Sequence, residues 1–443
     1  MAAHDAFYPL PDSLLSFILT KMPIKDAVKS SVLSKRWRFL YTQMSDLTFS
    51  PTLVLGPDSP SLNSLLVSRL ENIISNILLL HSHNLEAFHL HNNGFDHNQR
   101  RFSRENVCKW VRHASRCNIQ HLTLSDHHVP ALFCECCRAL KETPPPALFS
   151  CSRLVTLYLY DYSLTSIPDN FDGFPCLITC RLKNVRLTDE SLVSFISLCP
   201  LLQKLEITAD DLLGNVVIFS STIEHLHMQH ARSLSVNCPK LKIMSGLMCG
   251  DLIVNGVRFY EFSSVIWHLE MDHGSTLREL SMDFSVAKFS TSRFLHIVGN
   301  CQTLKELVIY LGDIREIKMD APLLNLFHML PNLQRLHIMG SFLLECARDP
   351  IPDCLAFPHV NLKKIRVEVL EFDSKEIAAI SCLLQSMPSL ETMEIRLPDE
   401  DDEGRCMNFF KDILYLRRAS LLARIIVLEC TPNDYEDIPH WED

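Results

Sequence analysis

Apolar residues recur along most of the chain in units of the form L-x-x-L-x-L, in which the last apolar positions alternate with other residues. Such alternation predicts a short strand with two side chains directed inward. The mean spacing of the units is about 28 residues, a period typical of stacked repeats, although individual spacings vary. The gap before Leu277 leaves room for a further unit near Leu252. The units begin at Leu85, Ile119, Leu154, Leu177, Leu202, Ile223, Leu277, Leu304, Leu333, Leu362 and Leu390, with a degenerate copy at Leu241.

Segments with helical periodicity lie between the strand units. Leu192, Phe195 and Ile196 form one apolar side, as expected for a helix packed on a sheet. A proline commonly stands two residues before the strand unit, where it ends the helix. These prolines are Pro175, Pro200, Pro239, Pro331 and Pro388. Each unit is therefore predicted as helix, turn and strand, and the stack as a solenoid with parallel strands on its concave face and helices on its convex face.

The first fifty residues carry three short helical patterns of a different kind. Pro23 ends the first helix, and Ser34 opens the third, in which Trp37 and Leu40 share a face. So small a module cannot bury its many apolar side chains alone, since domains of fewer than about 40 residues usually need a binding partner, a disulfide or a bound metal. We therefore expect this module to pack on another surface.

The same residues resemble a known module. Leu10-Pro11-Asp12, then Ile18-Leu19, then the run Val32 to Arg38 that reads VLSKRWR resemble an F-box in its plant form. Tyr41 stands where many plant relatives have a second Trp. The alternative, a helical cap on the repeats, would need an apolar face but not this order of residues. The resemblance implies docking on the Skp-type adaptor of an SCF ubiquitin ligase, with the adaptor-binding residues Leu10, Pro11, Leu14, Leu15, Ile18, Leu33 and Trp37.

The end of the chain carries a looser resemblance. From about Ala356 to Glu429, the segments NLKKIRV, ISCLLQSMPSLETMEIRL and LLARIIVLE resemble the FBD segment of plant F-box/FBD/LRR-repeat proteins. The predicted fold is α/β: a short all-helical F-box, an irregular leucine-rich-repeat solenoid and an FBD-like segment. The predicted bounds are 1–49 for the F-box, 50–82 for a joint and linking helix, 83–355 for the repeats, 356–430 for the FBD-like segment and 431–443 for an acidic tail.

Composition and charge limit the classes of partner and the cellular compartments that we expect for this chain. The 443 residues are 47% hydrophobic and carry 42 Lys and Arg against 52 Asp and Glu, a net charge of −10. A nucleic-acid binder needs surplus cations, so we expect no nucleic-acid partner. We find neither a signal peptide nor an apolar run of about 18 residues, and expect no membrane association. The 17 Cys then belong to a reducing compartment, cytoplasmic and/or nuclear.

The sequence gives little indication of a catalytic or metal-binding site. Cys151, Cys199, Cys238 and Cys301 occupy an apolar slot three residues before a strand unit and are predicted as buried thiols. The group Cys134, Cys136 and Cys137, with His127 and His128 upstream, lacks the paired spacing of a zinc site. His89 and His91, with His97 farther on, are more typical of a polar strand face than of metal ligands. With no nucleophile, phosphate-loop or metalloprotease motif, we expect no enzyme, metal or cofactor.

The resemblance implies a substrate-recognition subunit of an SCF-type ligase, a non-catalytic adaptor that reaches a cullin through the Skp-type adaptor and holds an unknown protein substrate on the repeats. Two alternatives stay open: a repeat scaffold without ligase function, and a small-molecule co-receptor of the hormone-sensing F-box type. The latter needs a concave cluster of cations, which only Arg181 with Lys183 approaches.

Strand alternation predicts the binding surface. Tyr158 and Tyr160 face outward beside Arg181 and Lys183, with Tyr162 as a possible extension of the row. Exposed tyrosines in line are typical of interface hot spots, and the neighbouring cations favour an acidic or phosphorylated segment. In the competing interpretation, the loop between Ser125 and Cys151 covers these tyrosines, which then only pack the array. The predicted substrate-binding residues are Tyr158, Tyr160, Arg181, Lys183, Glu206 and His227.

Overall fold

The structure is a computed structural model. It describes residues 10–53, 64–81, 85–91, 102–125, 141–248, 251–255, 257–259, 265–272, 276–283, 289–299, 301–311, 317–318, 326–340, 359–370, 372, 374–398 and 403–428. The chain divides into two compact units, Met1–His230 (unit 1) and Ala231–Asp443 (unit 2).

Unit 1 begins with the predicted helical module. It contains helices α1 (Asp12–Thr20) and α2 (Ile24–Lys29), followed by 3-10 helices at Ser30–Val32 and Trp37–Gln43. Pro11 and Pro23 occupy the N-cap positions of α1 and α2, where a missing N–H costs nothing. Three helical stretches match the sequence pattern, but the third is 3-10 rather than α.

The rest of unit 1 is built on a parallel sheet. The sheet order is β1 (Asp46–Phe49), β2 (Ala87–His91), β3 (His121–Ser125), β4 (Thr156–Tyr160), β6 (Thr179–Leu187) and β7 (Lys204–Phe219). The short strand β5 (Ser163–Leu164) pairs with the end of β6, and β8 (His225–Asn237) runs on into unit 2. The helices of the repeats are α3 (Ser64–Leu80), α4 (Arg104–Arg116) and α5 (Asp189–Ser197). Strand β1 lies within the range predicted as F-box, so the last residues of that range join the sheet of the repeats.

Two of these helices begin with a side-chain N-cap. The Ser103 side chain accepts a hydrogen bond from the Asn106 N–H at 3.2 Å at the start of α4. Thr188 and Ser191 form a reciprocal capping box at the start of α5. Satisfying these otherwise unpaired N–H groups stabilises a helix by about 1 kcal/mol for each cap.

Unit 2 starts with an irregular region. It contains β9 (Ile243–Met248), β10 (Asp251–Val254), β11 (Val257–Phe259), β12 (Val265–Asp272) and β13 (Thr276–Asp283). Strand β12 is antiparallel to both β9 and β13. Leu252, the centre of the suspected extra unit, lies in β10, which runs parallel to β8 but forms an antiparallel pair with β11. The array is therefore not parallel throughout, because short hairpins replace the helical crossover here.

The parallel pattern returns beyond β13. The neighbours in order are β13, β15 (Glu306–Leu311), β17 (Arg335–Gly340), β18 (Lys364–Glu368), β19 (Thr392–Arg396) and β20 (Arg424–Leu428). A separate pair joins β14 (Phe289–Ser290) to β16 (Ile317–Lys318). The helices are α6 (Thr291–Gly299), α7 (Leu326–Met329), α8 (Ser374–Ser386) and α9 (Glu403–Leu414). The segment predicted as FBD-like thus continues the same sheet with three more strands.

The core confirms the strand units read from the sequence. Their inward positions are buried wherever the structure describes them, from Phe88 and Leu90 in β2 to Met393 and Ile395 in β19. Cys151, Cys199, Cys238 and Cys301 are buried free thiols in the predicted slot. Burial raises the pKa of Cys151, Cys199 and Cys301 to about 12, so these thiols are protonated and unreactive at neutral pH. Among the described residues, no helix is long and apolar enough to cross a membrane.

Candidate binding surfaces

The helical module at the start of unit 1 is held together by its own small core. Leu15 and Trp37, both predicted to contact an adaptor, are 0% and 5% exposed and pack inside the module with Leu19, Ala27 and Leu40. The Arg36 guanidinium donates to the Leu10 carbonyl and to Asp12 Oδ1, the latter at 2.7 Å, and so ties the start of α1 to the third helical stretch. Leu15 and Trp37 therefore shape this module from within.

Another set of apolar side chains on the module faces solvent. Leu14, Ile18 and Leu33, from the predicted adaptor-binding set, are 48%, 37% and 67% exposed, while Pro11 is exposed and Leu10 is partly exposed. Four further residues share this exposure and were missing from the prediction: Phe17, Met22, Val32 and Phe39. So many exposed large apolar side chains in a module of this size form the kind of surface that is typical of protein–protein interaction sites.

In the rest of unit 1, the candidate surface is the outer sheet face, defined by the strand residues that alternate with the buried positions. The parallel register aligns Thr123, Tyr158, Arg181 and Glu206 in one row across β3, β4, β6 and β7. The backbone carbonyl oxygen of Gln203 accepts hydrogen bonds from the N–H groups of Glu224 and His225, just as that of Ile178 accepts hydrogen bonds from Gln203 and Lys204. This repeated pattern puts His227 in the same row, next to Glu206.

Five of the six predicted substrate-binding residues, all except His227, are joined by direct side-chain contacts. The Arg181 guanidinium lies 4.8 Å from the centre of the Tyr158 ring, a cation–π arrangement. Its Nε donates to Glu206 Oε2, and the Lys183 ammonium lies 3.2 Å from Glu206 Oε1. Tyr160 lies beside Lys183 in the register and forms a hydrogen bond with Arg181. These five residues are called the tyrosine–arginine cluster below.

The electrostatics of the cluster centre on one carboxylate. Burial alone would lower the pKa of Arg181, but Glu206 and the contacts with Tyr160 and Tyr158 outweigh it and raise that pKa overall. Arg181 is therefore permanently charged and held in place. Arg181 and Lys183 share Glu206, so the cluster carries one surplus positive charge. Tyr158 and Tyr160 remain partly exposed beside it, which suits an aromatic or acidic peptide segment.

Tyr162 does not extend the tyrosine row, because it is only 6% exposed. Asp161 has a φ of +64°, a left-handed conformation that ends the alternation after Tyr160 and turns the next side chain inward. Tyr162 lines a small hollow with Phe102 and Pro145. The prediction that it might face outward is wrong, since strand alternation holds only while the backbone stays extended.

The loop suspected of covering the tyrosines is described from residue 141 onward, and this part is anchored at the strand ends. Lys141 Nζ lies 3.6 Å from Asp161 Oδ1 and 3.2 Å from Asp210 Oδ2, and it donates to the Asn184 carbonyl. The Lys141 and Asp161 side chains are only 7% and 4% exposed. The described contacts thus fix the loop next to Tyr162, beyond Tyr160. Residues 126–140, with Cys134, Cys136, Cys137, His127 and His128, lie outside the described residues.

The histidines of β2 form a neutral polar surface. His89 Nδ1 lies 2.8 Å from Thr123 Oγ1, and its ring stacks on that of His91 with 6.4 Å between centroids. Burial lowers the pKa of both, so they carry no charge at neutral pH. His97 lies outside the described residues. Within the described part of the chain, no group of three or more His, Cys, Asp or Glu is arranged to hold a metal ion.

Comparisons with known proteins match the helical module and part of the repeat array. Residues 7–40 match the family model "F-box domain", and residues 107–256 match "FBD-associated F-box protein At5g56370, LRR repeats". The Arabidopsis thaliana protein "F-box/FBD/LRR-repeat protein At1g13570" is 26% identical over 96% of this chain and 99% of its own length. "FBD-associated F-box protein At5g38590", also from Arabidopsis thaliana, is 22% identical over 90% of this chain and 80% of its own length.

A third Arabidopsis thaliana relative, "FBD-associated F-box protein At5g56370", is 30% identical over 56% of this chain and 55% of its own length. Among solved structures, the "Crystal structure of TLR13-ssRNA13 complex" aligns at 13% identity with a TM-score of 0.29, over 79% of this chain and 60% of that chain. This alignment is too loose to support a functional argument.

Proposed function

The chain is an F-box/FBD/LRR-repeat protein of the plant type, and from that premise we propose that it is a substrate-recognition subunit of an SCF-type ubiquitin ligase. The F-box binds a Skp-type adaptor and, through it, a cullin. The outer sheet face of unit 1 holds a protein substrate. In this role the chain makes no covalent bond and contributes proximity, which raises the effective concentration of substrate at the ubiquitin-charged enzyme. Such a complex operates in the cytoplasm, the nucleus or both.

The observation that carries the proposal is the exposed apolar surface of the F-box. Val32 is 85% exposed, Leu33 67%, and Phe17 and Phe39 59% each, although Leu15 and Leu19 of the same module are fully buried. Covering an apolar side chain is worth about 1.5 to 3 kcal/mol for a residue of this size. A partner that buries several of them gains enough free energy to offset the entropy lost on association.

The tyrosine–arginine cluster supports the substrate half of the proposal. It offers two partly exposed aromatic rings beside a fixed guanidinium and one surplus positive charge. Tyr and Arg are enriched among interface hot spots because they bury large areas and keep polar groups for the rim. The cluster therefore suits an extended segment with an acidic residue next to an apolar or aromatic one.

The adaptor half of the proposal is tested by exchanging exposed apolar residues for aspartate. The variant Val32→Asp with Leu33→Asp, co-expressed with a Skp-type adaptor, should lose at least 90% of the adaptor recovered with the unchanged chain. The matched control is Leu65→Asp with Leu79→Asp, two side chains on α3 that are 76% and 81% exposed. It carries the same change in charge and apolarity, and should retain full recovery.

Equal recovery with both variants would contradict the F-box assignment, and equal loss would show that added charge alone prevents binding. The unchanged chain should also recover a cullin when the adaptor is present and lose it when the adaptor is omitted. Adaptor binding without cullin recovery would instead favour a repeat scaffold without ligase function.

A further inference from the structure

Unit 2 contains a hollow on the outer face of its parallel sheet. The hollow has a volume of about 150 Å³, which leaves room for a group larger than one water molecule. Strands β15, β17, β18 and β19 line it with the charged and titratable side chains Glu306, Arg335, His337, Lys364, Arg366 and Glu394. None of these residues belongs to the surface proposed above for the substrate.

The strand register brings these side chains together. One row runs from Glu306 through Arg335 to Lys364, and the next runs from His337 through Arg366 to Glu394. Residues of adjacent rows on one sheet face lie about 7 Å apart, within reach of long side chains. The three cations thus converge from two neighbouring strands around His337.

Arg335 and Arg366 each have N–H donors that are not bonded to the neighbouring glutamate carboxylate. Arg366 Nε donates to Glu394 Oε2 at 2.7 Å, and one terminal nitrogen of Arg335 contacts Glu306 Oε2. A guanidinium has five N–H donors, so both groups have several left. The Arg335 and Arg366 side chains are 45% and 35% exposed, which leaves these donors open to a ligand. Lys364 is exposed and has no ion pair among the described residues.

The hollow has a single surplus positive charge. Three cations face two carboxylates, and His337 stays neutral: burial, together with Arg366 and Arg335, lowers its pKa to about 4, against a smaller raising effect of Glu394. A singly charged anion would balance the site, whereas a phosphate dianion would leave it negative. Planar carboxylates also match the fork of a guanidinium, which can donate to both oxygens.

We propose that this hollow binds one carboxylate side chain, the Asp or Glu of an acidic peptide segment, between Lys364 and the free donors of Arg335 and Arg366. The partner is thus an acidic peptide, and Thr392, which also lines the hollow, offers a hydroxyl to its backbone. The site shares no residue with the substrate surface or the adaptor surface proposed above, and its occupancy is measured on the full chain alone.

The test is an NMR titration of the full chain, with its histidine rings isotopically labelled. The probes are three capped tripeptides, acetyl-Gly-Glu-Gly-amide, the same peptide with Gln, and the same peptide with phosphoserine. The Glu peptide should shift the His337 ring signals saturably and raise the pKa of His337, because a bound carboxylate favours the imidazolium form. The Gln peptide should bind at least tenfold more weakly.

Two exposed lysines of unit 2 provide matched variants. Lys364→Gln should weaken binding of the Glu peptide about tenfold, as expected for losing a hydrogen bond to a charged group. Lys375→Gln, an identical charge change at an exposed position of helix α8, should leave binding unchanged. Both variants should keep the histidine spectrum of the unliganded chain, which shows that they fold.

Four results would overturn the proposal. Binding of the Gln peptide as tight as that of the Glu peptide would exclude recognition of the carboxylate. An unchanged affinity in Lys364→Gln would exclude this hollow, as would equal losses in both lysine variants. Tenfold tighter binding of the phosphoserine peptide would replace the carboxylate with a phosphoryl ligand.

Discussion

Glu206 organises the tyrosine–arginine cluster because one carboxylate holds two cations from the neighbouring strand. Its Oε2 accepts from Arg181 and its Oε1 lies 3.2 Å from Lys183. Arg181 in turn lies against the Tyr158 ring at 4.8 Å. An exposed cation–π contact contributes about 0.5 to 1 kcal/mol, so the cluster is arranged for binding more than for stability.

Tyr158→Ala with Tyr160→Ala should abolish substrate capture and change the free energy of unfolding by about 1 kcal/mol or less. The rings are partly exposed, and truncating interface tyrosines costs about 2 kcal/mol or more of binding free energy. The measurements are affinity capture compared with that of the unchanged chain, and urea unfolding. Phe at both positions is the control, because it keeps the rings and should retain part of the capture. Intact capture with a large loss of stability would favour the packing interpretation of these tyrosines.

The lowered pKa of His337 predicts that the folded chain loses stability in mild acid. Burial is the main cause of its folded-state pKa of about 4, against an ordinary value of 6.5. The unfolded chain therefore binds the proton more readily, and the stability that neutral His337 provides is complete above pH 6.5 and decreases as the pH falls toward 4. We expect a loss on the order of 2 kcal/mol across this range.

The measurement is urea unfolding of the unchanged chain and of His337→Gln at several values of pH between 7 and 4. The stability difference between the two should narrow as the pH falls, because glutamine does not titrate. A difference that stays constant over this range would show that His337 titrates normally in the folded chain.

At the scale of elements, the strand ends of unit 1 are joined by buried ion pairs. Lys141 bridges Asp161 and Asp210, and Arg186 lies 3.4 Å from Asp210. Asn184, at a register shift in β6, has a φ of +51° and donates to Asp161. This network links the loop before β4 to three successive strands.

Lys141→Met should destabilise the chain by about 3 kcal/mol or more, because two buried carboxylates lose their ammonium partner. Lys29→Met is the control, since the Lys29 and Asp26 side chains are 67% and 48% exposed and such a pair contributes at most about 1 kcal/mol. Urea unfolding compares the two variants with the unchanged chain. A loss in Lys141→Met no larger than in Lys29→Met would show that solvent reaches the network.

The repeat strands could be predicted from the sequence, and the helical module only in part. The L-x-x-L-x-L units were found because each repeats a local alternation, and Cys180 fills such a position as readily as Leu182 does. In α1, Leu14, Leu15, Ile18 and Leu19 gave a single apolar side, although the structure buries only Leu15 and Leu19. When a helix is apolar on most of its surface, periodicity cannot distinguish its buried side from its exposed side, because it does not show which side packs against the rest of the module.

Other features depend on contacts between distant residues. Antiparallel pairing of β12 with β9 and with β13 replaces the regular parallel repeat where the apolar spacing fails. The pairing of Lys141 with Asp210 joins residues far apart in sequence, and nothing local in the sequence indicates it. The bounds predicted for the F-box, repeats and FBD-like segment remain predictions, and the tail at 431–443 lies outside the described residues.

For the whole molecule, the proposed function needs two surfaces on one chain: an apolar one on the F-box for the adaptor and a polar, aromatic one on the repeats for the substrate. The exposed Val32 and Leu33 belong to the first, and Tyr158 and Tyr160 to the second. Losing either surface should abolish the same outcome, ubiquitin transfer to the captured protein, while leaving the other surface able to bind.

The most direct test is to measure ubiquitin-modified peptides by mass spectrometry, with the proteasome inhibited, in plant cells that express the unchanged chain, Val32→Asp with Leu33→Asp, or Tyr158→Ala with Tyr160→Ala. We predict a group of proteins whose ubiquitylation depends on the unchanged chain and falls to background with both variants. These proteins should still be captured by the F-box variant and lost from the tyrosine variant. If the ubiquitylated proteins are the same in all three cases, the chain does not act as a substrate-recognition subunit.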